Sequence, residues 1–381
     1  MAHNRKYRGR RLLIMLLLLL IPAGAAAQER RTVSFHPRIE LTAWYDDNVD
    51  FLPDRDKEGD WYGVIAPGIE IGLPPTYGGL IAGYTYTRYQ YLHRSDLNRD
   101  YHHANIAADE IPLIRNIYIT GGDQFDTVPI DIGEPEDNSY NLTQRNRAYL
   151  RLIWKYDYSA RNRIRAAYEP SRVDYTESGN VGQDYWGHLL SSVWEFDISR
   201  SLRLIQRNRY YIKDYDNLPL YQRFIPEAGL EIELKKFFTF GGRAGYSFER
   251  TSDYHYRGAV YRLYALWRPS EKLQSRISFR RERTSDIEGN PITDDYYQLD
   301  WRYLPLKRLA FEGYIRYHDY RLTDSRIKRL YLRAGLAYRL RPEVEVTAGY
   351  GRVQTVDAEP DEKAVSNRFF AGLRLAFNPK D

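Results

Sequence analysis

The stretch RAYLRLIWKY, residues 147–156, alternates between charged or polar residues and apolar ones. A period of two, with aromatic and β-branched residues, predicts a β-strand rather than a helix. One face of an extended chain carries Arg147, Tyr149, Arg151, Ile153 and Lys155, and the other carries Ala148, Leu150, Leu152, Trp154 and Tyr156. The apolar face contacts a protein core in a soluble sandwich, but lipid in a membrane barrel. The rest of the chain decides between these two folds.

The same alternation recurs almost to the C-terminus, from residues 37–45 to residues 365–377. It gives about 18 candidate strands, with a range of about 16 to 18. Most exceed the roughly five or six residues of strands in soluble proteins, and approach the roughly nine to eleven of a tilted membrane-spanning strand. The sequence therefore predicts an all-β fold, a transmembrane, antiparallel, up-and-down β-barrel.

The connections between these strands alternate in length. Residues 74–78 and 341–343 make short turns, whereas residues 46–60 and 126–141 make longer, more polar connections. Barrels of the bacterial outer membrane alternate short periplasmic turns with longer extracellular loops. We therefore expect an outer-membrane location in a Gram-negative cell. An even number of strands then places both termini in the periplasm.

Aromatic residues gather near the predicted strand ends. Trp44, Tyr89, Tyr91, Trp154 and Tyr156 are examples. Amphipathic rings prefer the headgroup level of a membrane, and barrels carry girdles of them at both interfaces. We interpret these residues as such girdles.

The N-terminus has the pattern of a secretory signal peptide. Basic residues precede an apolar run, Leu12 to Ile21, and an alanine-rich ending. We predict a signal peptide over residues 1–27 and a single outer-membrane β-barrel domain over residues 28–381. Without the leader's bases, the 56 Lys and Arg fall to 51, which equals the 51 Asp and Glu. The charge balance therefore indicates no nucleic-acid partner.

The polar face of each strand is predicted to line the barrel interior, since arginine facing lipid costs about 2–4 kcal/mol at the bilayer midplane. The predicted lining residues are Arg147, Arg151, Arg163, Arg165, Arg203, Arg207, Arg209, Arg243, Arg276, Arg280, Arg302, Arg316, Arg329, Arg333, Arg368, Arg374, Tyr149, Tyr211, Tyr314 and Tyr331. Arg262 lies in a strand that alternates poorly, so its direction stays open. Two interpretations remain: a network of Arg–Glu pairs that stiffens the wall, or a cationic conduit for anions. In the second, the tyrosine rings offer surfaces along which sugars slide.

Two connections have specific expectations. Residues 46–60 are rich in acids, and clustered carboxylates suit calcium. Their spacing does not fit an EF-hand loop, so we interpret them as a solvated loop and predict no metal site. Residues 126–142 are the candidate for a loop that folds inward as a constriction. No histidine stands in a nucleophile motif, so we expect neither an enzyme nor a cofactor.

The segment HPRIELTAWYDDNVDFLP, residues 36–53, resembles the start of the β-barrel porin 2 family. The matching residues are Tyr45, Asp46, Asp47, Asn48, Val49, Phe51, Leu52 and Pro53. The strands GGRAGYSFER (241–250) and TAGYGRV (347–353) also resemble that family. Its members are associated with capsule or exopolysaccharide loci. The resemblance implies a role in passing polymer across the outer membrane, with polysaccharide secretion machinery as a partner.

The last predicted strand, residues 365–377, places Phe369, Leu373 and Phe377 on one face. It is similar to the C-terminal strand that the barrel-assembly machinery recognises, so we expect that partner, together with outer-membrane lipid and lipopolysaccharide. The main expectation is a channel for exopolysaccharide, with an anionic polymer as the candidate cargo. One alternative is a diffusion porin for small anionic solutes or oligosaccharides. Another is a plugged barrel with a structural or receptor role.

Overall fold

The structure is a computed structural model that describes residues 33–73, 79–130, 142–176, 184–234, 237–252, 255–285, 291–322, 326–355 and 363–377. The predicted signal peptide, residues 1–27, lies outside the described residues and stays a prediction. Within the described ranges, no helix is long and apolar enough to cross a membrane.

The chain forms one 18-stranded sheet. Its strands are β1 (Ser34–Asp46), β2 (Asp60–Gly72), β3 (Leu80–Tyr91), β4 (Arg99–Ile114), β5 (Ile117–Pro129), β6 (Leu142–Ser159), β7 (Asn162–Tyr175), β8 (Tyr185–Asp197), β9 (Leu202–Tyr215), β10 (Tyr221–Leu234), β11 (Phe238–Arg250), β12 (His255–Ser270), β13 (Leu273–Ser285), β14 (Pro291–Leu306), β15 (Leu309–Arg321), β16 (Arg326–Arg341), β17 (Val344–Thr355) and β18 (Val365–Ala376). Short 3-10 turns cover Asp54–Asp56 and Ser95–Leu97.

The sheet closes on itself. Each strand pairs antiparallel with its neighbours in the chain, and β1 also pairs with β18, from Arg38 opposite Ala376 to Asp46 opposite Arg368. Closure leaves no open sheet edge, and backbone groups that pair between strands need no water. The predicted antiparallel up-and-down barrel is therefore confirmed, as is the strand count.

The two ends of the barrel differ in their connections. One end, here the turn end, carries the connections 73–79, 115–116, 160–161, 198–201, 235–237, 271–272, 307–308 and 342–343. The other, the loop end, carries 47–59, 92–98, 130–141, 176–184, 216–220, 251–254, 286–290, 322–325 and 356–364. β1 begins and β18 finishes at the turn end. The alternation that the sequence predicts is present.

The outer face of the sheet is apolar and exposed. Leu190, Ile277 and Phe369 are examples from β8, β13 and β18. Near the turn end, Trp154 and Tyr156 stack with ring centroids 5.7 Å apart. Large apolar side chains exposed around a closed sheet are typical of a barrel whose solvent is lipid.

The inner face is polar, and its contacts cross between strands that are not neighbours. The Nη1 atom of Arg209 on β9 lies 3.8 Å from Oε1 of Glu282 on β13. Strands four places apart meet only across the concave side of a curved sheet. The strand register relates the remaining polar positions to this face, because residues directly opposite one another share a side.

Candidate channel lining

The register places all the predicted lining arginines and tyrosines on the concave face. This face also holds Arg262, whose direction the sequence leaves open. Arg262 lies directly opposite Arg243 on one side and Arg280 on the other. Three arginines therefore stand side by side on β11, β12 and β13.

Some of the inner arginines belong to closed ion-pair networks. On β6, Arg147 and Arg151 share the buried carboxylate of Glu169, with Nε of Arg151 at 2.6 Å. Arg163 and Arg203 share Asp197, at 2.9 Å and 2.7 Å. Charge-assisted contacts of this kind fix the side chains of both partners, although the buried Nε atom of Arg163 has no hydrogen-bond acceptor among the described residues. In this part of the wall the arginines form the Arg–carboxylate pairs that the first interpretation expects.

The wall from β9 to β13 is different. Its inner face carries Arg207, Arg209, Arg243, Arg262 and Arg280, which we call the arginine patch. Glu227 pairs with Arg209 at 3.0 Å, and Glu282 lies 3.8 Å from both Arg209 and Arg262. Asp294 lies 3.4 Å from Arg280. Five guanidinium groups thus share three carboxylates.

Two arginines of this patch lack an acidic partner. Among the residues that the structure describes, no carboxylate lies within 4.0 Å of a guanidinium nitrogen of Arg207 or Arg243. The buried Nε atoms of Arg207, Arg209 and Arg280 also have no hydrogen-bond acceptor there. Buried donors without an acceptor are costly unless a ligand or water satisfies them. The patch therefore has both unbalanced positive charge and unused donors.

The predicted lining tyrosines do not form a bare aromatic surface. The guanidinium of Arg316 lies 4.0 Å from the ring centroid of Tyr314, and that of Arg147 lies 5.3 Å from Tyr149. Tyr211 has Arg209 at 5.8 Å. These are cation–π distances. Each of these three rings therefore contacts an arginine and is partly exposed.

A second inner region lies on the wall from β14 through β18 to β1. It is a cavity of about 430 Å³ whose lining includes Glu40, Glu312, Glu345, Arg302 and Arg374. Arg374 stands between Glu40 and Glu345 in the strand register. Acids and bases are here interleaved, unlike in the arginine patch. This part of the interior has no excess of positive charge.

The connection 47–59, here the inner loop, folds into the mouth of the barrel. Phe51 is buried against Tyr331, Val353 and Ala364. On the opposite side, Val49 is buried with Tyr91 and Leu97. The inner loop therefore covers the inner wall from β3 round to β16. Leu52 and Pro53 follow Phe51, and this apolar run within an acidic segment was the signal in the sequence.

Polar contacts hold the inner loop in place. The side-chain amide of Asn48 donates to the carbonyl oxygens of Leu52 at 2.7 Å and Val365 at 3.0 Å, and its oxygen accepts from the Leu52 N–H at 2.9 Å. Phe51 has a φ of 54°, a strained value for a bulky residue. The surrounding contacts must therefore outweigh that strain.

Acidic residues at the two ends of the inner loop are buried anchors. Asp46 accepts hydrogen bonds from Ser366 at 2.8 Å and from Nε of Arg368 at 2.7 Å. Asp60 accepts from the backbone N–H groups of His93 and Arg94, both at 2.9 Å. The interpretation of residues 46–60 as a solvated loop is wrong for these two acids, because specific donors replace their water.

Two other expectations change. Trp44, Tyr89 and Tyr91 are not girdle residues, since the register places them on the inner face, where Tyr91 packs against the inner loop. The expected constriction at residues 126–142 falls largely outside the described residues, which resume at Leu142 after residue 130. Within the described part of the chain, residues 47–59 are the connection that folds inward.

Comparisons with known proteins bear on the fold. No protein-family model and no curated protein sequence matches the chain. Solved structures do: OccK9 (OpdG) of Pseudomonas aeruginosa has a TM-score of 0.51 at 11% identity, covering 91% of this chain and 98% of that one. OccK7 (OpdD) of the same organism has a TM-score of 0.51 at 11% identity, over 91% and 100%. OccAB2 of Acinetobacter baumannii has a TM-score of 0.50 at 11% identity, over 92% and 98%. This chain shares the closed 18-stranded fold of these outer-membrane porins.

Proposed function

We propose that this protein is a passive outer-membrane diffusion channel for small anionic solutes, with its loop end facing outward. The observation that carries the proposal is the arginine patch, in which Arg207 and Arg243 have no carboxylate partner within the described residues. A row of fixed guanidinium groups on one side of a pore attracts anions and binds carboxylates or phosphates in forks.

The arginine patch suits transport because several neighbouring guanidinium groups can each bind an anion. Arg243, Arg262 and Arg280 are neighbours across three strands, so a carboxylate can exchange one guanidinium partner for the next. Conduction needs binding that is strong enough for entry and weak enough for release, which a series of similar sites provides. Glu227 and Glu282 lower the net positive charge of the patch and so limit how tightly it binds an anion.

Export of exopolysaccharide, the main expectation from the sequence, is less well supported. The inner loop buries Tyr331, one of the four tyrosines expected to contact sugars, beneath Phe51. Tyr149, Tyr211 and Tyr314 each have an arginine against the ring. A bulky polymer would need a wide mouth and accessible rings. The association with capsule loci has no support from the solved structures that the chain resembles.

Reversal potentials in planar lipid bilayers test the proposal. We expect the wild-type channel to prefer chloride over potassium in a KCl gradient, and the variant R207Q/R243Q to lose much of that preference. The matched control is R302Q/E312Q, which removes an inner ion pair with an N–O distance of 3.9 Å and leaves the net charge unchanged. The control should keep the wild-type selectivity.

Three results would contradict the proposal. The first is equal selectivity in the wild type and in R207Q/R243Q. The second is current that long anionic polysaccharide blocks while small organic anions do not permeate, which favours the exporter. The third is the absence of any current from a correctly folded barrel, which favours the plugged or receptor alternative.

A further inference from the structure

The outer face of β13 to β16 carries a chain of ion pairs at the loop end. Arg281 contacts Asp295 at 2.6 Å, and Arg321 contacts the same carboxylate at 3.0 Å. Arg321 also lies 3.5 Å from Asp319, which Arg326 contacts at 2.6 Å. Three arginines and two aspartates thus alternate across four strands. We call this set the outer arginine cluster.

The strand register places the cluster on the outside and fixes its depth. Arg281, Asp295, Asp319 and Lys328 lie opposite one another in successive strands. Two residues nearer the turn end, the same face carries Phe279, Tyr297 and Tyr317 in a corresponding row.

This row is an aromatic belt. The ring centroids of Phe279 and Tyr297 are 4.4 Å apart, and those of Tyr297 and Tyr317 are 5.7 Å apart. Outward aromatic belts lie at the boundary between hydrocarbon and headgroups. The outer arginine cluster, one step beyond the belt, therefore lies at headgroup depth.

Burial within the cluster is uneven. The side chains of Asp295 and Asp319 are 4% and 9% exposed, whereas those of Arg321 and Arg326 are 46% and 50% exposed. The carboxylates thus lie beneath the guanidinium groups and hold them in fixed positions. Among the residues that the structure describes, the cluster has three guanidinium groups for two carboxylates. The surface that the cluster presents outward is therefore positive and preordered.

Another part of the outer face near the loop end has the opposite charge balance. On β7, Arg172 packs over Trp186 at 5.7 Å. Three acids surround it, Asp174 at 2.9 Å, Asp184 at 3.8 Å and Asp216 at 2.8 Å. The outer face at the loop end is therefore not positive throughout.

We propose that the outer arginine cluster binds the phosphate of a phosphorylated glycolipid in the outer leaflet. Guanidinium groups bind phosphate in forks, which ammonium groups cannot do. A ligand with acyl chains can place them along the belt of Phe279 and Tyr297 while its phosphate meets Arg321 and Arg326. This geometry favours a lipid over a soluble phosphate. The inference rests on the proposed membrane orientation and is independent of what the channel conducts.

Native mass spectrometry of the full-length mature protein in neutral detergent tests the site. The ligand is bisphosphorylated lipid A, and dephosphorylated lipid A is the comparison. We expect R326Q to weaken binding about tenfold, as loss of one charge-assisted hydrogen bond implies, and R321Q/R326Q to weaken it further. The control R172Q, on the acidic side of the barrel, should bind as the wild type does.

R326Q keeps Asp319 near Arg321, so folding should be preserved, and heat-modifiable mobility on gels checks it. Folded R326Q and R321Q/R326Q that bind lipid A like the wild type would overturn the proposal. Equal weakening by R172Q would overturn it too, since it indicates general surface charge. Wild-type binding of phosphatidylglycerol or inorganic phosphate at the affinity of lipid A would refute the choice of a glycolipid.

Discussion

Two walls of the barrel interior have the same alternation of polar and apolar residues, but their inner arginines differ in their partners. The covered wall runs from β16 through β18 to β3 and lies beneath the inner loop, whereas the open wall runs from β9 to β13. On the covered wall, Arg368 is held by Asp46 and Arg329 lies 5.7 Å from the ring of Phe51. On the open wall, Arg207 and Arg243 have no acidic partner in the described residues. The alternation of polar and apolar residues therefore places arginines inside the barrel. Whether an inner arginine has an acidic partner then distinguishes a structural ion pair from a charge that can act on solutes, as we propose for the open wall.

Replacing one arginine on each wall by glutamine should give the largest difference in the free energy of unfolding. R368Q leaves Asp46 buried without its cation, and breaking such a pair costs about 3–5 kcal/mol. R243Q removes a cation with no partner and should change the free energy of unfolding by less than about 0.5 kcal/mol. Urea unfolding in lipid vesicles, followed by tryptophan fluorescence, measures both. Equal losses would show that the walls do not differ.

Removing the side chain of Asn48, which anchors the inner loop, should expose the covered wall. N48A loses three hydrogen bonds, which together supply about 2–4 kcal/mol of anchoring. We expect faster proteolysis within residues 47–59 and a larger single-channel conductance. D56A, in an exposed part of the same loop, is the control and should change neither. Unaltered conductance in N48A would mean that the inner loop does not narrow the mouth.

A smaller effect should follow from filling the space beside Phe370 on the covered wall. A Cβ at Gly349 would lie 2.5 Å from both Phe370 Cζ and the Ala334 carbonyl oxygen. Overpacking of this kind costs about 1–3 kcal/mol. At Gly63 a Cβ meets nothing within 4 Å, so G63A is the matched control. Thermal unfolding should show a loss for G349A alone, and equal midpoints would remove steric packing as the explanation.

The smallest effect concerns salt at the open wall. The Debye length falls from about 10 Å at 0.1 M to about 3 Å at 1 M salt. The arginine patch should therefore lose part of its anion preference between these concentrations, while R207Q/R243Q should change little. Reversal potentials at both salt concentrations measure the difference. A preference that salt leaves unchanged would indicate selection by size.

Much of the barrel could be predicted because its physics is local. In RAYLRLIWKY, every second residue identifies a face, so strand type, strand direction and the inward position of Arg147 follow from a few neighbours. Arg262 could not be assigned, since Tyr261 and Tyr264 place aromatic rings on both faces of β12. Its direction depends on pairing with β11 and β13, which is set by the strand register.

The contacts that seat the inner loop could not be predicted from local pattern. Asp46 meets Arg368, and Asn48 meets Val365, more than 300 residues away along the chain. An acidic segment is expected to be solvated when only its own sequence is considered, because its hydrogen-bond donors, such as Arg368 for Asp46, lie far away along the chain. The apolar run from Phe51 to Pro53 is a signal within residues 47–59, but it does not show which part of the barrel the segment contacts.

The seam between β1 and β18 joins segments that lie more than 300 residues apart along the chain. The contacts at the loop end of this seam also hold the inner loop, since Asp46 accepts a hydrogen bond from Arg368 and Asn48 donates one to Val365. Any change that loosens the pairing of these two strands should therefore also loosen the loop at the mouth, because the same hydrogen bonds serve both.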